Sequence, residues 1–451
     1  MRKILAGFIG FGEVNSPPEL IGNKCAAARE KLVGAGFEIV EYLRVSDVPD
    51  GSEARMAGEV LARCKMDLIV LCVAGWIPSY AVIDAVHSLR HIPMLLWGLC
   101  GEISGGRLVT TADQAGTTAL RKTLEEMGFN FKYIYESIDR DRIKEVTAYG
   151  SAARAASMLR GSRAGMMGYR DMRLYGTVVD AVRLKSVVGA EIENFEMLEM
   201  VQRGEKIPQA EIKALKDKVL SEWVFEGDTD ERTLEESCRY YLALRQIACG
   251  RGLDAISLID VDGMKKLLNL PPSMIFMLLT NELGISAVPE NDAPGLATQL
   301  MVRFLTGQIG AYLEFYEFMS DGMLAGVPDF IPAEITDGAV TVRTVGFGGF
   351  SKSVLNISKA KTGRVTMFRL TTVRSGFAMH IVPCDAENPK PWEEAGWERP
   401  APQLPGLKLI PDCGIEAFAD NVASQHYIMA YGDHAAPMRD LCRILSIETI
   451  P

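Results

Sequence analysis

From Lys3 to Ser137 the chain alternates short, nearly continuous apolar runs with stretches of helical spacing, and this alternation constrains the fold most. "KILAGFIGF" reads as a strand, "NKCAAAREKLVGAG" as a helix stopped by glycine, and "FEIVEYLRV" as the next strand. "EARMAGEVLARC", "MDLIVLCVAG", "YAVIDAVHSLR", "IPMLLWG", "TTALRKTLEEMG" and "FNFKYIYES" continue the pattern. Strands that are apolar throughout need cover on both faces, so short βαβ units of this kind predict a parallel sheet between two helical layers. "RDRIKEVTAYGSAARAASMLRGS" is expected to be the helix that closes this domain. The glycines of "GFIGFG" lack the G-x-G-x-x-G order and read as a tight strand-to-helix turn rather than a nucleotide cradle.

A second α/β block opens with "RAGMMGYR". "TLEESCRYYLALRQIACGRG" is a helix with apolar residues every three to four positions and a glycine stop. "LDAISLIDV", "PPSMIFMLLTNELG" and "ISAV" read as strand, helix and strand. Pro294 then suits the first turn of another helix, with Asp292 or Ala293 near its cap and Gly307 at its end. "IGAYLEFYEF" is the strand after that. Beyond Pro332 the helical spacing stops, and "AVTVRTVGFGGF", "RVTMFRLTT" and "FAMHIVP" predict antiparallel strands with glycine-containing turns. The expected fold class is therefore α/β: two doubly wound parallel-sheet domains followed by a mostly antiparallel β C-terminal domain. A length of 451 residues agrees with more than one core. The domains are expected at 1–163 (flavodoxin-like), 164–335 and 336–451.

A net charge of −10 leaves no basic footprint for nucleic acid. The N-terminus "MRKILAGFIGFG" has neither a cleavage site nor a span of about 20 apolar residues, so no membrane segment is expected there. The nine cysteines include no C-x-x-C pair and mostly lie in apolar runs such as "LIVLCVAG" and "LRQIACG". They predict reduced, buried thiols and a cytoplasmic location.

The chemistry concentrates in "SAVPENDAPG", where a strand hands over to a helix across two acids and an amide. Ligands of open parallel sheets bind beyond the carboxyl ends of the strands, and Glu290 lies just past one. At period two, Ala311, Leu313 and Phe315 take one face of the next strand while Tyr312, Glu314 and Tyr316 take the other. Carboxylates brought together from neighbouring strands need a cation or a shared proton, and hard oxygen donors suit Mn²⁺ or Mg²⁺. The plainer alternatives are a solvated or capping Glu290 and an edge strand that exposes Glu314. Among His87, His91, His380, His426 and His434, the best nitrogen donor is His426 in "NVASQHYIMAYGDH", next to Gln425. His87 and His91 flank a helix end, His380 lies in a strand, and His434 reads as a turn residue.

Several stretches resemble the L-fucose isomerase and L-arabinose isomerase superfamily. "AGMMGYRDMRLYGTVVDAVRLKSVVGAEIENFEM" is similar to the opening of that family's second domain. "ELGISAVPENDAPGLATQLMVRFLTGQIGAYLEF" resembles the segment with both metal-binding acids, here Glu290 and, 24 positions later, Glu314. "GFGGFSKSVLNISKAKTGRVTMFRL" resembles its C-terminal domain, and "ASQHYIMAYGDH" the region of a His-His pair whose metal ligand matches His426. Three positions depart from the family pattern. Pro289 replaces a cysteine before Glu290, with Asp292 two places after it, Val327 stands where some relatives have a metal histidine, and Gln425 replaces the first histidine of the pair.

The resemblance implies an aldose–ketose isomerase, an intramolecular oxidoreductase acting on a hexose or pentose through an enediolate. Its metal ligands would be Glu290, Glu314 and His426, holding Mn²⁺ or alternatively Mg²⁺ or Co²⁺. Glu290 and Glu314 would also be the catalytic acid–base pair, and Gln425 would hold a substrate hydroxyl. Trp76, expected with Tyr80 in the loop "AGWIPSY", would stack on sugar or pack an interface of a homo-oligomer, a hexamer or trimer. The basic set Lys352, Lys359, Lys361, Arg364 and Arg369 is a solvated face, unless some members point inward and select an acid-bearing sugar such as a sulfonated hexose. The alternatives are a non-catalytic sugar-binding relative and a metal-assisted sugar epimerase.

Overall fold

The structure is a computed structural model describing residues 1–326, 330–346, 349, 352–389 and 406–450. Two compact units divide the chain, Met1–Ser157 and Met158–Pro451.

In the first unit the alternation folds as its periodicity demands. Strands β1 (Ile4–Phe11), β2 (Phe37–Val45), β3 (Leu68–Val73) and β4 (Met94–Gly98) alternate with helices α1 (Pro18–Gly34), α2 (Ser52–Leu61) and α3 (Ser79–Val86). A short hairpin, β5 (Glu102–Ser104) and β6 (Arg107–Val109), precedes α4 (Asp113–Glu126), β7 (Phe131–Tyr135) and α5 (Ile143–Leu159). The five long strands form a parallel sheet in the order β2-β1-β3-β4-β7. Central β3, "LIVLCV", is buried at every position, whereas edge strand β2 is mostly half-buried, so the apolar runs mark the middle of the sheet. Each fully buried leucine or isoleucine of β3 contributes about 1.5–3 kcal/mol. The β5–β6 hairpin carries no apolar pattern that would mark it as strand, because all six of its residues are exposed.

The second unit contains β8 (Arg163–Met167), α6 (Ala181–Val187), β9 (Glu191–Phe195), α7 (Met197–Gly204), α8 (Gln209–Glu222), β10 (Val224–Phe225), α9 (Glu231–Arg251), β11 (Ala255–Leu258), α10 (Ser273–Asn281), β12 (Ser286–Val288) and α11 (Ala293–Thr306). A π-helical segment, Asp260–Leu268, lies between β11 and α10. Its parallel sheet runs β12-β11-β8-β9. Helix α9 starts where Asp230 accepts from the Thr233 amide and stops at left-handed Gly252. Helix α11 shows the predicted signals: Asp292 caps it, Pro294 sits in its first turn, and Gly307 ends it at φ +84°.

The remaining strands are β13 (Ala311–Met319), β14 (Gly322–Gly326), β15 (Thr336–Asp337), β16 (Thr341–Gly346), β17 (Lys352–Asn356), β18 (Lys359–Ala360), β19 (Gly363–Val373), β20 (Gly376–Glu387), β21 (Gly406–Pro411), β22 (His426–Tyr431) and β23 (Glu448–Ile450). The expected antiparallel region takes a form the turn signals did not specify. Strands β19-β22-β13-β14-β21-β20 pair in that order, and β20 pairs back to β19, closing a six-stranded antiparallel barrel. Leu313, Met367, Val382, Leu409 and Tyr427 belong to its apolar core, with half-buried Phe315 packed against them. Closure leaves β13 paired on both sides, which removes the edge-strand explanation of Glu314. Nearly every residue of α11 is buried, with β11 and β12 on one side and β19 and β22 on the other.

Among the described residues, no helix is long and apolar enough to cross a membrane. Cys25, Cys72, Cys238, Cys384 and Cys442 are buried free thiols, but Cys249, read as buried in "LRQIACG", is exposed together with Cys413.

Candidate active site

Pro289 ends β12 and the next two residues turn left-handed, Glu290 at φ +62° and Asn291 at φ +50°. This conformation costs roughly 1–2 kcal/mol per non-glycine residue, so local bonds must hold it. The Glu290 amide donates to Asp260 Oδ1 at 2.7 Å, the Asn291 amide to the Leu258 carbonyl at 3.2 Å, and Asn291 Nδ2 to the Met167 carbonyl at 3.0 Å. The turn is thereby tied to the carboxyl ends of β11 and β8. Asp260 in turn accepts from buried Lys265 at 2.8 Å. The three residues have separate tasks: Glu290 presents its carboxylate, Asn291 anchors the turn, and Asp292 caps α11 through the Gly295 amide at 3.0 Å. Gly295 is required there, since a Cβ would stand 2.5 Å from Asp292 Oδ2.

The barrel supplies the other half. Glu314 on β13 lies directly opposite His426 on β22, and the period-two split keeps Ala311, Leu313 and Phe315 in the core. Nε2 of His426 is 3.7 Å from a Glu290 carboxylate oxygen and 3.8 Å from one of Glu314. The imidazole side chain is 1% exposed, that of Glu290 10% and that of Glu314 28%, so the group opens to solvent on the Glu314 side. Gln425 Nε2 lies 3.3 Å from the same ring nitrogen. Glu290, Glu314 and the adjacent pair Gln425 and His426, three separate stretches of the chain, thus meet at one ring nitrogen. Trp76 belongs to the first unit, where its backbone bonds to Thr111 and Glu13 beyond the end of β3. Its neighbour Tyr80 falls in the first turn of α3, not in the loop expected for it.

Behind His426 runs a buried chain that motif reading missed. Tyr312 donates to Asp292 Oδ2 at 3.0 Å, and its oxygen is 2.7 Å from His426 Nδ1. Arg369 binds the same carboxylate through both terminal nitrogens, one of them at 3.0 Å from Oδ1, and that nitrogen also donates to the Gly176 carbonyl at 3.1 Å. Burial would push the Asp292 carboxyl up, but the charge and hydrogen bonds of Arg369 hold it below the usual range. Burial, then the charges of Asp292 and Glu290, push the Tyr312 hydroxyl well up, so it keeps its proton. Burial likewise lowers His426 to about 4, with Asp292 opposing, and the ring is neutral near pH 7. Another carboxyl, Asp171, accepts from the amides of Val261 and Asp262 at 2.8 and 2.7 Å, and burial and then nearby Asp260 push it up to about 7.

Tyr312 could have been found, since it shares the Glu314 face of β13. No sequence signal joins Arg369 to Asp292. Within the basic set, Arg369 does point inward, but its charge meets Asp292, and Arg364 pairs with Asp412 and Asp385. Lys352, Lys359 and Lys361 are exposed. His380 is buried against Tyr427, His434 precedes the helix Ala435–Ile444, and Val327 lies outside the described residues.

Two carboxylates and a neutral imidazole are a donor set suited to a divalent ion of intermediate hardness. Ligands about 2.1–2.2 Å from one ion lie roughly 3–4 Å from one another, a range that includes both separations from Nε2. As they stand, however, no group of three or more His, Cys, Asp and Glu side chains among the described residues is placed to hold a metal ion. Binding would require the two glutamates to draw in by side-chain rotation. No protein-family model and no curated protein matches the chain.

Proposed function

We propose that the second unit is a metal-dependent aldose–ketose isomerase whose working groups are Glu290, Glu314 and His426. The observation that carries this reading is the approach of two carboxylates, from a parallel-sheet turn and a barrel strand, to one imidazole nitrogen within 3.8 Å. A bound divalent ion such as Mn²⁺ would supply Lewis acidity to two adjacent sugar oxygens. The chain's own residues supply proton transfer. Moving hydrogen between C1 and C2 needs one carboxylate to take the proton and a carboxylic acid to return one, so one glutamate is ionised while the other is protonated. Gln425, exposed beside Nε2, can both donate to and accept from a sugar hydroxyl.

The test is deuterium incorporation followed by NMR in D₂O, with Mn²⁺ and a panel of neutral and acid-bearing aldoses. Wild type should form ketose with deuterium at C1. Glu290→Gln and Glu314→Gln should each lose this by about 10²–10⁴-fold while remaining folded. Exchange without ketose would replace isomerisation by epimerisation. No exchange with any aldose, together with no bound metal, would overturn the reading and leave a sugar-binding protein.

A further inference from the structure

The neighbours of His426 decide which of its nitrogens carries the proton. Tyr312 has one hydroxyl hydrogen and touches two groups, Asp292 Oδ2 at 3.0 Å and His426 Nδ1 at 2.7 Å. Asp292 is held by both terminal nitrogens of Arg369, so it enters the contact as a carboxylate and can only accept. Suppose the Tyr312 hydrogen went to Nδ1. Two oxygen lone pairs would then face each other at 3.0 Å, among residues of which Asp292 is 0% and Tyr312 and His426 each 1% exposed. An unsatisfied contact of that kind, away from water, is costly. Sending the Tyr312 hydrogen to Asp292 and a ring hydrogen from Nδ1 to Tyr312 gives each contact one proton. A neutral imidazole has only one, so Nε2 keeps its lone pair. That lone pair faces Glu290 and Glu314, and the Gln425 amide at 3.3 Å can donate to it.

We propose that Arg369, Asp292 and Tyr312 form a positioning chain that locks His426 in the Nδ1–H tautomer, so that a nitrogen donor stands ready between the two carboxylates before any cation arrives. Tyr312 is a positioning residue here, acting through His426 and not on substrate. A histidine that ligates through one ring nitrogen needs the other tied to an acceptor, a role filled here by a phenol and, behind it, an ion pair. The consequence for metal affinity rests on the functional reading above; the tautomer does not.

The first measurement is the long-range ¹H–¹⁵N spectrum of the metal-free full chain labelled in histidine, at neutral pH, with the His426 signals assigned by their loss in His426→Gln. The expected pattern is a protonated Nδ1 and a bare Nε2. An Nε2–H pattern in the wild type would overturn the proposal, and this arm needs no variant of the chain to fold. The second measurement repeats the spectrum and a Mn²⁺ titration on Tyr312→Phe, with near-UV circular dichroism to verify folding. The variant should lose the fixed tautomer and bind Mn²⁺ about 10–100-fold more weakly. An unchanged tautomer, or an unchanged affinity, would remove Tyr312 from the role. If the wild type shows the Nδ1–H ring but binds no Mn²⁺, the isomerase reading falls and the positioning chain stands.

Discussion

Both parallel sheets of this chain end in loops that carry acids, and the two ends handle those acids differently. In the first unit, buried Asp113 meets Lys24, while Glu136 accepts from the Trp97 indole at 2.9 Å and the Arg142 amide at 3.2 Å. Each acid there is matched by a donor from its own α/β layer. In the second unit the ion pair goes to Asp292, one residue beyond the turn, and Glu290 is set against a neutral ring nitrogen from the barrel. The comparison teaches that strand ends and loops alone do not make a site. At the second sheet a barrel layer delivers Glu314 and His426 to the same end as Glu290, with Arg369 behind them on Asp292, and this gathering makes it the candidate site.

The largest effect expected is from Arg369→Met, which leaves the Asp292 charge buried and should cost about 3–5 kcal/mol in denaturant unfolding. The matching change in the first unit, Lys24→Met, should cost only about 1–2 kcal/mol, because the Lys24 side chain is 17% exposed and Thr111 still touches Asp113. Equal costs would break the comparison.

Next in size is the response to metal. At 100 times its dissociation constant, Mn²⁺ should add about 2.7 kcal/mol of protection against hydrogen exchange. That protection should concentrate in peptides around 286–314 and 424–431 and leave the first unit's sheet unchanged. Protection around Asp113 and Glu136 instead would assign the cation to the wrong sheet.

The smallest effect is a pH slope from Asp171. Its folded value near 7 stands above the unfolded value of about 4. Between those values the folded state holds the extra proton, so this group's contribution to stability falls as pH rises through the window and is gone above it. The Asp260 carboxyl and the amides of Val261 and Asp262 face it. Asp171→Asn lacks that titration, so its melting temperature should gain on the wild type by about a few degrees between pH 5 and pH 8. A constant difference would show that Asp171 ionises normally and that its pairing with Asp260 is weak.

Much of the fold was legible because it depends on local periodicity. The apolar runs marked β1 to β4, the glycine stops ended α1 and α9, and "DAPG…TG" bracketed α11, with its cap at Asp292 or Ala293. The alternation in "AYLEFYEF" separated core from site face, which put Tyr312 and Glu314 on one side. The β5–β6 hairpin escaped because its exposed residues carry no burial pattern, and Tyr80 was misplaced because Pro78 starts a helix rather than prolonging a loop.

The sequence by itself determined most of the elements, a cap for α11 at Asp292 or Ala293 and the sidedness of Glu314, because each depends on neighbours within a few positions. The tertiary structure alone decided three things. It closed the barrel through β19 and β20, so Glu314 lies on an interior strand. It set Arg369, 77 positions away, against Asp292, making a basic residue of the C-terminal region a partner of the first turn of α11. And it brought Glu290, Glu314 and His426 to one nitrogen. Those outcomes depend on strand order and on the packing of α11 between two sheets, and neither is encoded in the spacing of residues along the chain.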